Sequence, residues 1–366
     1  MKLLFAIKHL SSASGGAERV LCTVCSDLAE RGHNVSIVTL DTPGGQPFYH
    51  LDARVKLIDL AIGDAAQPTG VFEAIKRMKA LRHIVVTEKP DVAVGFMHSM
   101  FIPLAFSLVG TGISTLGSEH IVPEHYQKRR FQFLLLSLSA RLLKKITVLS
   151  ESIRSSYPAT VKNKMVVVPN PIEKPTRLTK KAVRDSTHTI LNVGRLNRQK
   201  DQATLIKAFA KITEDFPQWH LKIFGEGPLR EELERLIEVF GLQSKVTLPG
   251  VTSAIDVEYQ LADIFVISSS YEAFGLATAE AMSHGLPVIG FADCPGTNEL
   301  IQNDVTGLLV DPPNDRVQAL ASTLSDLIKN RALQEKLSKA GQQEIEKRFS
   351  TEQVCEQWED LLFKST

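Results

Sequence analysis

Residues 268–281 read SSSYEAFGLATAEA. A strand-like run, ADIFVI at 262–267, ends in three serines and passes through Tyr271 and Glu272 to Gly275, where a helix begins. Ligands of parallel α/β sheets bind at such strand ends. The new helix offers unpaired amides at a positive dipole end, which suits a diphosphate, and Gly275 lets the backbone approach closely. Glu272 lies before the helix and Glu280 two turns along it, so their carboxylates reach opposite ends of an elongated ligand with phosphate between them.

Strand-like and helix-like segments alternate outward in both directions. Upstream come KLLFAIK, a helix over about 16–31, VSIVTL, a helix over about 71–88 and DVAVGF; downstream of about 187 the pattern restarts with TILNVGRL, HLKIFGEG, KVTLPG, LPVIGF and TGLLV. This predicts two doubly wound parallel α/β domains, each sheet covered by helices on both sides. The expected division is a domain over 1–168, a linker over 169–187 rich in Pro, Lys and Thr, and a second domain over 188–349. A last helix over 350–366 opens on a Ser350/Gln353 capping box and could pack back on the first domain. A central cleft would let each domain hold one substrate.

The 366 residues, 43% hydrophobic and 23% charged, exclude a single small module, a disordered chain and a fibrous repeat. Lys+Arg of 42 against Asp+Glu of 41 is too balanced for a nucleic-acid coat. Residues 1–170 nevertheless carry a formal +7 and the remainder −6, so the first half is suited to an anionic partner such as a phosphorylated acceptor or a membrane surface. Residues 92–118 lack Asp, Glu, Lys and Arg, but Gly95, His98, Pro103, Gly110 and Gly112 divide them into strand, helix and strand rather than one membrane span. Cys22 and Cys25 form a CxxC with no second Cys or His pair nearby, which reads as buried apolar packing. Four cysteines and no signal peptide point to a reducing cytoplasm.

Other loops at strand ends supply the remaining chemistry. GRLNRQKD at 194–201 puts Arg195 and Lys200 between a strand and a helix, as cations for a diphosphate. SSASGGAERV at 11–20 places Gly15 and Gly16 at a helix start, and SEH at 118–120 puts His120 after a strand, with His125 as a competitor for its role. FGEGP at 224–228 lacks the third glycine of a dinucleotide fingerprint. Without a DxD motif no metal is expected, and no cofactor either; the two cations and the helix end would do the work of Mg²⁺.

The Glu272-x7-Glu280 spacing with Phe274 and Gly275, together with GGAER, SEH and VVVPNPI, resembles the retaining GT-B glycosyltransferases of family 4, over essentially the whole chain. Ala273 departs from the Gly or Pro common there. The resemblance implies that Glu272 meets donor-sugar hydroxyls and that amides after Phe274, at Gly275 and Leu276, hold phosphate. Glu280 would then accept from the ribose, and Arg195 and Lys200 would bind the diphosphate. It further implies that Gly225, Gly227 and Val251 lie by the nucleobase, that Gly15 and Gly16 approach donor phosphate or acceptor, and that His120 steadies the reacting centre.

By the same resemblance, the activity is transfer of a sugar from a nucleoside diphosphate, UDP above all, to a hydroxyl of a growing glycan. Bacterial transferases of this type build lipid-linked oligosaccharide or exopolysaccharide, so the acceptor would be linked to polyprenyl diphosphate at the inner membrane face, with no nucleic acid involved. Two stretches could meet it: Lys76, Arg77 and Lys79 on a basic helix, and residues 126–145. The latter joins Lys128, Arg129 and Arg130 to an apolar stripe of Phe131, Leu134, Leu135, Leu138 and Leu142. That stripe either dips into lipid or packs on the sheet. The competing readings are a sugar-nucleotide epimerase or phosphorylase on the same fold, and a partner subunit without turnover.

Overall fold

A computed structural model describes the chain except residues 12–14, 63–69, 127–128, 176–186 and 312–314, and except the side chain of residue 124. The described residues form two compact units, Met1–Pro171 with Thr351–Thr366, and Ile172–Ser350.

The first unit holds seven strands: β1 Lys2–Ala6, β2 Asn34–Thr39, β3 Lys56–Asp59, β4 Val92–Phe96, β5 Ser114–Ser118, β6 Lys145–Val148 and β7 Met165–Val167. All pair in parallel, in the order β3-β2-β1-β4-β5-β6-β7. Side chains alternate faces along a strand, so both faces of β1 need cover. Leu3 and Phe5 join the core beneath helix α1 (Gly16–Glu30), whereas Leu4 and Ala6 join the core beneath α2 (Val71–Glu88) and α3 (His98–Ser107). Helix α4 (Arg130–Leu142) packs beside α3. The charge-free stretch 92–118 is β4, α3 and β5, and among the described residues no helix is long and apolar enough to cross a membrane.

The second unit holds β8 His188–Val193, β9 Trp219–Phe224, β10 Val246–Gly250, β11 Ile264–Val266, β12 Val288–Phe291 and β13 Leu308–Val310, again parallel, in the order β10-β9-β8-β11-β12-β13. In each sheet the order reverses beside the unit's first strand, between β1 and β4 and between β8 and β11. Crevices outside the carboxyl ends of strands at such a reversal are where doubly wound sheets take ligands.

The segment expected to link the domains departs from a bare linker at its start, while residues 176–186 lie outside the described residues. Asn170 and Ile172 are buried, and the Ile172 amide donates to the Phe349 carbonyl at 2.7 Å. An isolated isoleucine carries no periodic signal, yet here it has a core to enter. The final helix, Thr351–Phe363, belongs to the first unit and buries Val354, Cys355, Trp358, Leu361 and Leu362 in the core beneath α1. Cys22, Cys25, Cys294 and Cys355 are all buried and form no disulfide among the described residues.

Candidate active site

In the second unit, the loops that leave β8 and β11 are laced together. Lys200 Nζ donates to Glu272 Oε1 at 2.6 Å, and Ser269 Oγ donates to the same oxygen at 2.6 Å. Ser268 Oγ donates to the Lys200 carbonyl at 2.9 Å, and Gln199 Nε2 to the Tyr271 carbonyl at 2.9 Å. Glu272 is buried and the Lys200 side chain nearly so, so the pair is held at low dielectric, where breaking it by removing one partner is costly. Arg195, by contrast, is exposed, and its guanidinium has no ion-pair partner among the described residues. It is a cation at the mouth of β8 that the fold leaves uncommitted.

Gly275 adopts φ 88° and caps the helix Leu276–Ser283, for which no side chain serves as a cap. The first-turn amides of that helix, starting at Leu276, thus lack a capping oxygen, and the buried Thr278 Oγ1 has no partner among the described residues. Phe274 is buried and packs edge-on against Phe349 with ring centres 5.3 Å apart. Glu280 is buried on the same helix, its Oε2 accepting from Tyr259 Oη at 3.0 Å.

Gly225 and Gly227 have a packing reason to be glycine. A Cβ on Gly225 would lie 2.0 Å from the Gly194 carbonyl oxygen, and one on Gly227 would lie 2.3 Å from that of Leu196. The loop after β9 therefore rests directly on the backbone that carries Arg195. Val251, half exposed, follows Gly250 at the end of β10.

In the first unit, Gly15 caps α1 and Gly16 opens it. The Glu18 carboxylate folds back over Gly15, where a Cβ would meet its Oε2 at 1.6 Å, and lies 3.8 Å from His9 Nδ1. His120 follows β5. Its ring stacks on Phe96 at 5.1 Å, and its Nε2 is 2.9 Å from Ser118 Oγ. Burial lowers its pKa to about 4. Glu119 is buried as well: its Oε1 accepts from the amides of His120 and Ile121 at 3.0 and 3.2 Å, and its Oε2 from Tyr126 Oη at 2.6 Å. Burial raises the Glu119 carboxyl to about 7. The competitor His125 accepts from the Arg129 guanidinium at 2.8 Å.

The basic helix differs from expectation at one position. Lys76 and Lys79 are exposed on α2, but Arg77 is buried and paired with Glu73 one turn earlier. The Glu-x3-Arg spacing was the available signal. Arg129 and Arg130 are exposed at the start of α4, and Lys128 lies outside the described residues. The apolar stripe does not pack on the sheet: Phe131, Leu134, Leu138 and Leu142 are exposed, Phe131 by 71%, and Leu136, Ser139 and Ala140 form the buried face.

Sequence reading did not single out Ser269, Tyr259, Glu119, Ser118 or Thr147 as functional. Glu119 stands next to His120 and Ser269 three residues before Glu272, whereas Tyr259 meets Glu280 only through the fold.

The family model for glycosyl transferases group 1 matches residues 173–344, and that for Glycosyltransferase Family 4 matches residues 14–174. An uncharacterized glycosyltransferase of Haemophilus influenzae is 27% identical over 99% of this chain and 99% of its own. The amylovoran biosynthesis glycosyltransferase AmsD of Erwinia amylovora is 24% identical over the same shares. Among solved structures, sucrose-phosphate synthase of Thermosynechococcus elongatus superposes with a TM-score of 0.84 at 21% identity, covering 100% of this chain and 99% of that one. Anabaena HepE in complex with UDP and glucose gives 0.79 at 18% identity, covering 99% of both chains.

Proposed function

The chain belongs to the GT-B glycosyltransferases of family 4, and from that premise we propose that it moves a sugar from a UDP-sugar to a hydroxyl of a lipid-linked glycan, with retention and without a metal. It is a glycosyltransferase of polysaccharide biosynthesis. The observation that carries the finer reading is the Lys200–Glu272 pair at 2.6 Å, set beside an uncapped helix start and the uncommitted Arg195 at one sheet reversal. A diphosphate there would meet two cations and a row of amides. Glu272 would orient the sugar, Glu280 the ribose, and His120 would steady the reacting centre.

In this reading the bond from the anomeric carbon to the diphosphate oxygen breaks, and the acceptor oxygen bonds to that carbon on the face the diphosphate leaves. The acceptor's proton passes to the departing phosphate oxygen. Arg195, Lys200 and the amides from Leu276 onward take up the charge that develops on the leaving group, where prearranged donors contribute most. Isothermal titration with UDP should register binding to the wild-type chain. No heat at all would overturn the donor site. Incubation with UDP-sugar alone should leave the sugar's configuration unchanged, since a changed sugar would favour the epimerase reading.

An anionic, lipid-linked acceptor at a membrane surface is supported by the first unit. Arg129 and Arg130 sit at the positive end of α4, with no acidic residue in the first turn, an arrangement that disfavours the helix unless an anion compensates it. Phe131, Leu134 and Leu138 are exposed on α4, which has Arg129 and Arg130 at its start, and Val71, Phe72 and Ile75 are exposed on α2, which also carries the exposed Lys76 and Lys79. Apolar side chains among basic ones suit an anionic lipid interface, with each cation adding about 1 kcal/mol. Phe72→Asp with Phe131→Asp should reduce co-sedimentation with phosphatidylglycerol vesicles roughly tenfold or more, at an aspartate cost of a few kcal/mol in apolar surroundings. Unchanged sedimentation removes both helices from the membrane surface.

A further inference from the structure

His120 rests on a chain of hydroxyls that enters the first unit's sheet. Ser118 on β5 and Thr147 on β6 are register partners across the sheet, and both are buried. Thr147 Oγ1 lies 2.8 Å from Ser118 Oγ, which lies 2.9 Å from His120 Nε2. Each hydroxyl has one proton to give. Among the described residues, Ser118 Oγ is the only acceptor that the Thr147 hydroxyl reaches, so the Thr147 proton goes there. Ser118 then has His120 Nε2 as the acceptor for its own proton. With Nε2–H donating to Ser118 instead, either the Thr147 or the Ser118 hydroxyl proton would be left buried without an acceptor among the described residues, which folded proteins avoid. Nε2 therefore accepts, and the neutral ring carries its hydrogen on Nδ1.

The ring is also fixed in place. Phe96 stacks on it, and Trp358 of the final helix stacks behind Phe96, with ring centres 5.7 Å apart and planes 20° apart. Glu119 clamps the amides of His120 and Ile121 from its buried position. Burial holds the ring neutral, and a neutral imidazole shows one donor and one acceptor nitrogen, assigned by whichever hydrogen bond is made at the other.

We propose that Thr147 and Ser118 are positioning residues that fix His120 as the Nδ1–H tautomer, so that it offers the substrate a hydrogen-bond donor and not a basic nitrogen. The donor role rests on the transferase reading above; the tautomer does not. The two agree chemically, because a reaction in which the departing phosphate takes the acceptor's proton requires no base from the protein.

Long-range proton–nitrogen spectra of the full chain labelled with ¹⁵N-histidine read the tautomer directly. His120 should show a protonated Nδ1 and an unprotonated Nε2. Ser118→Ala should give a mixed tautomer and lower kcat for transfer about tenfold with little change in donor KM, and Thr147→Ser, which keeps the hydroxyl, should retain the wild-type spectrum and rate. A wild-type ring protonated on Nε2, or a Ser118→Ala spectrum identical to wild type in a protein of unchanged Tm, overturns the relay. A shifted tautomer with kcat unchanged upholds the relay and overturns the part assigned to His120 in transfer.

Discussion

Arg195→Ala lowers the turnover of sugar transfer by roughly 10²–10³-fold, the scale for losing one prearranged group from a developing anion, and leaves Tm nearly unchanged. The structural side of this prediction follows from exposure: the Arg195 side chain is in solvent and has no ion-pair partner among the described residues. Exposed substitutions of that kind usually alter stability by less than about 0.5 kcal/mol. The same experiment on Lys200 would be ambiguous. Removing its ammonium leaves Glu272 buried with Ser269 as the one remaining donor to Oε1 among the described residues, so a loss of activity would mix chemistry with local unfolding. Steady-state kinetics with a UDP-sugar and a thermal melt of Arg195→Ala decide the matter. Near-normal turnover removes this guanidinium from the diphosphate site, and a large fall in Tm would give it a structural role instead.

The largest loss of stability is expected at Trp358. Its side chain is 2% exposed, lies edge-on to Phe5 with ring centres 6.4 Å apart and stacks on Phe96. Trp358→Ala empties the centre of the core that joins α1, β1, β4 and the final helix, at a cost of about 3–5 kcal/mol. For a unit of this size that lowers Tm by about 10 °C. The effect reaches His120 too, because Phe96 lies between the two rings. Trp358→Phe, which retains an aromatic face, should recover most of the stability. A melt of Trp358→Ala within about 2 °C of wild type would mean that the final helix contributes little to the first unit, contrary to the burial of its whole apolar face.

The loops of the candidate site were legible because each stands at a strand end marked by local signals. Serines or glycines follow an apolar run, and a helix pattern starts a few residues later. Arg195 and Lys200 after β8, Glu272 and Gly275 after β11, and His120 after β5 all lie where those signals place them. Burial on helices was harder to read. On α4 the large apolar residues face solvent while Leu136, Ser139 and Ala140 face inward, because a close approach to a neighbouring helix selects small side chains. A periodicity count that weights size therefore leaves the buried side undecided. On α2, Arg77 is buried and paired with Glu73 one turn away, which the Glu-x3-Arg spacing signals and the basic residues on either side of Arg77 obscure.

The sequence by itself determined the two parallel α/β units and the loops that follow their strand ends, since these follow from patterns that repeat within a few residues. Tertiary structure alone decided the partners: Lys200 with Glu272, Thr147 with Ser118, Tyr259 with Glu280, and a final helix that belongs to the first unit although it follows the second in sequence. Such partners depend on strand order and register. A short apolar run specifies that a strand exists and which side chains alternate, but not which strand lies beside it.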